Sequence, residues 1–234
     1  MSAAAERENW VQVVRDYAQR RDLVYEAVGG INPRDAPAAL CVGGSNRLTG
    51  QLTDGFWGSS CDALERESGR FLSKTVLPEA VLVKAHMPDL ARVVPRFDVE
   101  SIEARPDELL RRQTSRRKVE FESMEFNKRF LATVPSDHDP IALRELFSPA
   151  FLTWTTRIDR EVDFGGLDRQ LWFMWRLRER TAAELDLALG NAGELFRRVR
   201  RELEEENVVT YPAGPWNAGQ APFPGGSGAP QSSG

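Results

Sequence analysis

The residues best suited to acid–base chemistry fall in one short run, Ser136-Asp137-His138-Asp139-Pro140, within a chain of 234 residues. A histidine between two carboxylates keeps its proton more readily than an isolated one. Asp137, His138 and Asp139 would therefore suit a small-ligand-binding or hydrolytic site. The same residue types also build turns and helix caps. No nucleophile with a recognisable local pattern accompanies them, because Ser59, Ser60 and Cys61 lack the glycine-flanked strand-to-helix elbow of a nucleophilic serine. The sequence thus assigns no catalytic residue.

Metal and cofactor chemistry have less support. The possible soft ligands are Cys41, Cys61, His86 and His138, and their spacings match no zinc motif. Two cysteines are too few for a disulfide framework, so buried thiols in a reducing compartment are expected. Gly43, Gly44, Gly50 and Gly55 lack the spacing of a dinucleotide loop or a P-loop, and read as hairpin turns. No metal and no cofactor are expected.

Binding chemistry has two candidates. The first is the basic run RRQTSRRK, Arg111 to Lys118. Arg111, Arg112, Arg116 and Arg117 would suit a protein partner, with nucleic acid or anionic lipid as the alternative. Thr114 and Ser115 within it would suit phosphorylation. No aromatic residues interleave as they do in single-strand binders, and a net charge of −4 gives the whole chain no pull toward nucleic acid. A solvated connection is the plainer reading of this run. The second candidate is the C-terminal stretch 209–234, rich in Gly, Pro, Ser and Ala, which cannot bury enough apolar surface to fold alone. From Pro212 to Gly234, Trp216 and Phe223 are the only large apolar groups, and they are the candidate contact points for a partner.

These groups must be positioned by a folded domain, expected over residues 5–208. A hydrophobic fraction of 41% supports a sizeable core. Glu6 to Arg21 reads as a helix, with Trp10, Val13, Val14 and Tyr17 on one stripe. Leu23–Val28, Ala38–Val42, Arg47–Thr53 and the run from Phe56 to Glu65 read as short strands joined by glycine turns. Ala80–Ala85 has the apolar run of a buried strand. Val93–Phe97, interrupted by Pro95, reads as edge more than centre. Gly165-Gly166 reads as a hairpin turn between Val162–Phe164 and Leu167–Trp175. In the returning strand Leu171, Phe173 and Trp175 point one way, and Trp172 and Met174 the other. That is the pattern of a central strand covered on both faces, with an aromatic ligand pocket as the alternative. Thr181-Ala-Ala-Glu184 is a capping box opening the longest helix, to about Glu206.

The sharpest local logic lies in Arg117 to Trp154. Val119, Phe121 and Ser123 alternate with Glu120 and Glu122 as in a strand. Asn127 reads as a turn or bulge before the chain re-enters the sheet. Asp139-Pro140 and Ser148-Pro149 each read as a helix start. Glu122, Ser123, Phe126, Asn127, Phe130, Asp137, Asp139, Leu143, Leu146 and Pro149 make a pattern that resembles an uncharacterised family of actinobacterial domains of unknown function. The resemblance implies a bacterial source and no activity. Many relatives look as if a membrane-spanning segment precedes the domain. Here MSAAAERENW has no signal-type run, and no stretch of about 18 apolar residues occurs.

The expectation is an α+β fold: a hairpin-built, mostly antiparallel sheet packed by an N-terminal and a long C-terminal helix. By elimination, the function expected is that of a non-enzymatic protein-interaction or adaptor module, in the cytoplasm or at the inner membrane face.

Overall fold

The structure is a computed structural model and describes residues 2–28, 45–53, 55–63, 79–87, 96–102, 116–167 and 170–207. The expectations for Ala38–Val42, for Cys41, for the basic residues Arg111 and Arg112 with Thr114 and Ser115, and for Trp216 and Phe223 lie outside the described residues.

The first helix, α1 (Ala3–Arg20), starts earlier than its apolar stripe suggests because Ser2 caps it, accepting from the Ala5 N–H. Four strands follow: β1 (Val24–Val28), β2 (Ser45–Thr53), β3 (Phe56–Ala63) and β4 (Ala80–His86). Next come β5 (Phe97–Ser101), β6 (Arg116–Val119), α2 (Met124–Arg129), β7 (Phe130–Pro135), α3 (Pro140–Leu146) and α4 (Pro149–Thr156). The chain then runs through β8 (Val162–Leu167), β9 (Gln170–Arg176) and α5 (Ala182–Asn207). The strands form one nine-stranded sheet in the order β1-β2-β3-β4-β9-β8-β5-β7-β6. Every strand pairing is antiparallel. The α+β architecture with an N-terminal and a long C-terminal helix is therefore as the sequence predicts.

The alternation of a strand decides what each sheet face carries. Val81, Val83 and Ala85 of β4 and Leu171, Phe173 and Trp175 of β9 join the main core, and the buried apolar residues of all five described helices belong to that same core. Ala80, Leu82, Trp172 and Met174 point the other way and join Cys61 and Ala63 in a smaller cluster made of strand residues alone. β9 is the two-sided central strand expected, hydrogen-bonded to β4 and β8. Its aromatic residues are core: Phe173 is fully buried and Trp172 nearly so.

Three expectations are corrected. Of Val93–Phe97, which reads as an edge, residues 93–95 lie outside the described residues, and Phe97 opens β5, which lies inside the sheet between β8 and β7. Asn127 is not a turn back into the sheet but a helical residue of α2. Ser123 accepts from the Phe126 N–H at 3.2 Å and caps that helix, and Lys128 and Arg129 close it at the end that favours cations. The Asn127 amide accepts from the Phe121 N–H at 3.1 Å and donates to the Phe121 carbonyl at 2.6 Å, standing in for a neighbouring strand. The strand expected through Ser123 accordingly ends at Val119. Finally, Gly165 and Gly166 lie within β8 and are no turn. A Cβ on Gly165 would run into the Phe97 carbonyl and stand 2.7 Å from the Trp172 indole nitrogen, so glycine here permits close approach.

Candidate functional site

The Asp137-His138-Asp139 run forms a surface turn between β7 and α3. His138 Nδ1 lies 3.0 Å from Asp137 Oδ1, and the Asp137 side chain is 81% exposed. That hydrogen bond holds the Asp137 carboxyl below the usual aspartate range. Asp139 accepts from the Ile141 N–H at 2.9 Å and caps α3, with Pro140 in the first turn. The structure brings the three residues together as a turn and cap, and their recorded hydrogen bonds stay within the turn and the start of α3.

Of the basic candidates, Arg116 and Arg117 lie on β6, the last strand of the sheet. Arg116 is committed to the fold: its Nη2 meets Asp98 Oδ2 at 2.6 Å, and its Nε donates to Thr133 Oγ1 at 2.8 Å. Arg117 is exposed. Lys118 pairs with Glu120 at 2.8 Å on the surface.

Sequence reasoning missed the most developed polar cluster, built around Asp62. The period of β3 places Phe56, Gly58, Ser60 and Asp62 on the helix-bearing face, so a carboxylate points into the core. Asp62 is 3% exposed. Its Oδ1 accepts from the Trp10 indole N–H of α1 at 2.9 Å. Its Oδ2 accepts from Asn46 Nδ2 at 2.7 Å and from the Ser45 hydroxyl at 3.1 Å. The Tyr25 hydroxyl donates to Asn46 Oδ1 at 2.8 Å and extends the network to β1. Asn46 has φ of 53°, a left-handed conformation that asparagine tolerates better than most residues. Burial pushes the Asp62 carboxyl up to about 6, against the downward pull of the Trp10, Asn46 and Ser45 hydrogen bonds and the Arg7 charge. Next to it Cys61 faces the opposite side of the sheet, and burial pushes its thiol up to about 12, so it is unreactive as a nucleophile.

Asp163 and Glu184, the other buried carboxylates among the described residues, and the half-buried Glu202 are spent on structure. Asp163 accepts from the Ser101 N–H at 2.8 Å and stands 3.5 Å from Arg176 Nη2. Glu184 was expected to complete a capping box. Only half of it forms: Thr181 Oγ1 accepts from the Glu184 N–H at 3.2 Å. The Glu184 carboxylate instead accepts from the Trp175 indole N–H at 2.9 Å. Glu202, near the end of α5, accepts from the Ser148 hydroxyl at 2.6 Å and its N–H at 3.2 Å, tying α5 to the start of α4. Among the described residues no group of three or more His, Cys, Asp or Glu side chains could hold a metal ion. No described helix is long and apolar enough to cross a membrane. An open groove of about 520 Å³ runs between α1 and the start of α5, lined by Val13, Asp16, Gln19, Arg20 and Ala182.

The class defined by these features is an antiparallel α+β sheet with its described helices packed into one core and its buried acids used as ties. No family model matches the chain, and no curated protein matches it. Among solved structures it is similar to the mycobacterial trehalose monomycolate transport factor A, TtfA, with a TM-score of 0.52 at 11% identity. The similarity covers 87% of this chain and 98% of that one. At this identity it is a likeness of fold.

Proposed function

We propose that this chain is a non-enzymatic accessory protein that works by binding a protein partner, in the cytoplasm or at the inner membrane face. The observation that carries the reading is the likeness of fold to a transport factor, which spans nearly all of both chains. The polar geometry supports it. Asp62, Asp163, Glu184 and Glu202 are engaged by donors that join one element to another. The resemblance to actinobacterial domains of unknown function belongs to the same proposal and adds no activity. The partner contacts proposed are Arg117 on the edge strand β6, with Arg111 and Arg112 before it in sequence, and Trp216 and Phe223 in the C-terminal stretch.

The experiment is a pull-down from the native host at low and high salt, comparing the full chain, a 1–211 truncation and Arg117→Glu. A specific partner that survives high salt and is lost on truncation places binding in Trp216 and Phe223. A partner kept by the truncation and lost with Arg117→Glu places it on the β6 edge. Retention of nucleic acid that falls steeply with salt, or no specific protein partner at all, overturns the reading.

A further inference from the structure

We propose that Asp62 makes the seating of α1 on the sheet proton-linked, so that the helix docks most firmly with this carboxyl protonated and loosens as it ionises. The geometry around Asp62 carries this. Asp163 and Glu184, the other buried acids of the sheet face and α5, stand near Arg176 and Arg160, at 3.5 Å and 3.8 Å. Asp62 is as deeply buried, yet its hydrogen-bond partners are all neutral: the Trp10 indole, the Asn46 amide and the Ser45 hydroxyl. A buried carboxylate held by neutral donors recovers only part of the cost of leaving water.

Protonation removes that charge without breaking the network. Trp10 and Asn46 keep donating. The Ser45 hydroxyl, at 3.1 Å, turns from donor to acceptor of the new carboxyl proton. Among the described residues, few charges face the site. Arg7 on α1 acts on it from a distance. Arg15, also on α1, sits over the Tyr25 ring 5.3 Å from its centroid, beyond Asn46. From β4 the register partner is the apolar Val81. Arg47 and Lys84 lie on the opposite face, where they act on Cys61.

The rest of the α1 seat is mostly apolar. Val14 and Ala18 are buried in the main core, as are the rings of Trp10 and Tyr17. The Tyr17 hydroxyl donates to Asp186 of α5 at 2.7 Å, and burial raises that phenol above its usual range. When α1 lifts, Asp62 meets water and returns to the ordinary aspartate range. The docked state thus binds the proton more tightly than the lifted state. Docking is firmest below about pH 4, weakens through the window up to about 6, and is level above it.

The test is amide hydrogen exchange of the full chain across this window, corrected for intrinsic exchange rates, together with the 13C titration of the Asp62 side-chain carboxyl. The expected carboxyl midpoint is about 6. The opening equilibrium of α1 amides should rise about tenfold from pH 5 to pH 7, while α4 amides stay level. In Asp62→Asn the α1 slope should vanish. A carboxyl midpoint in the ordinary aspartate range, or an α1 opening equilibrium that does not change with pH, overturns the proposal. Should Asp62→Asn not fold, those two wild-type measurements decide the question. The inference does not depend on the partner proposed above.

Discussion

At the β1–β3 end of the sheet, α1 is seated by named polar atoms as well as by apolar contact: Trp10 on Asp62, Tyr17 on Asp186, and Asn46 linking Tyr25 to Asp62. At the β5–β7 end, seven phenylalanines, Phe97, Phe121, Phe126, Phe130, Phe147, Phe151 and Phe164, form a chain of ring contacts under α2, α3 and α4. Phe147 stacks on Phe151 at 4.4 Å and meets Phe97 edge-on at 5.3 Å. α5 joins the two ends. Its 26 residues span about 39 Å, and about 27 Å of that lies between Glu184 beneath Trp175 and Glu202 at the start of α4. Aromatic packing gains from every atom in contact and changes little with pH. Directed polar ties are few, specific and responsive to protonation. The two ends are thus built to tolerate different disturbances.

Substitutions can break or sharpen this contrast. Phe147→Ala should have the largest effect, a loss of about 3–5 kcal/mol in urea unfolding, because it opens a cavity among four other rings. Gly193→Ala tests the bridge: its Cβ would stand 2.8 Å from the Thr53 side chain, so α5 must shift off β2, at about 1–3 kcal/mol. Trp10→Phe keeps most of the apolar contact and removes one donor. It should cost about 1–2 kcal/mol and move the Asp62 midpoint upward, since the lost hydrogen bond favoured the ionised form. If it costs as much as Phe147→Ala, the contrast fails. Ser148→Ala removes the α4 cap and the hydroxyl contact to Glu202 while keeping the N–H contact, and should cost about 1 kcal/mol by the same measurement. His138→Ala should leave the thermal midpoint unchanged; a drop in it would give the surface turn a weight its geometry does not suggest.

The aromatic end was the more legible in sequence. Asp139-Pro140 and Ser148-Pro149 carry local helix-start chemistry, and both helices begin there. The same end held a misreading, because Phe126, Asn127 and Phe130 suggest no single period. The cap that decides α2 is one serine, Ser123. At the polar end, the run from Phe56 was readable as a strand, but the meaning of Asp62 was not. Its partners come from α1 and β2, and sequence spacing says nothing of which donors converge on one carboxylate. Gly165-Gly166 failed for a related reason. Glycine usually marks a turn, but here the remote Phe97 carbonyl and the cross-strand Trp172 ring require it.

The seam between β4 and β9 has a consequence for how the chain acquires its shape. His86 must find Gln170, and Ala80 must find Arg176, partners more than a third of the chain away. During synthesis β4 emerges long before β9, and its outer row of amides and carbonyls has no mate until almost the whole domain has left the ribosome. Closing such a long loop late is slow, and an unmated apolar strand invites mispairing meanwhile. A circular permutant that starts at β8 lengthens that separation to more than half of the chain, so it should refold from denaturant more slowly than the native order.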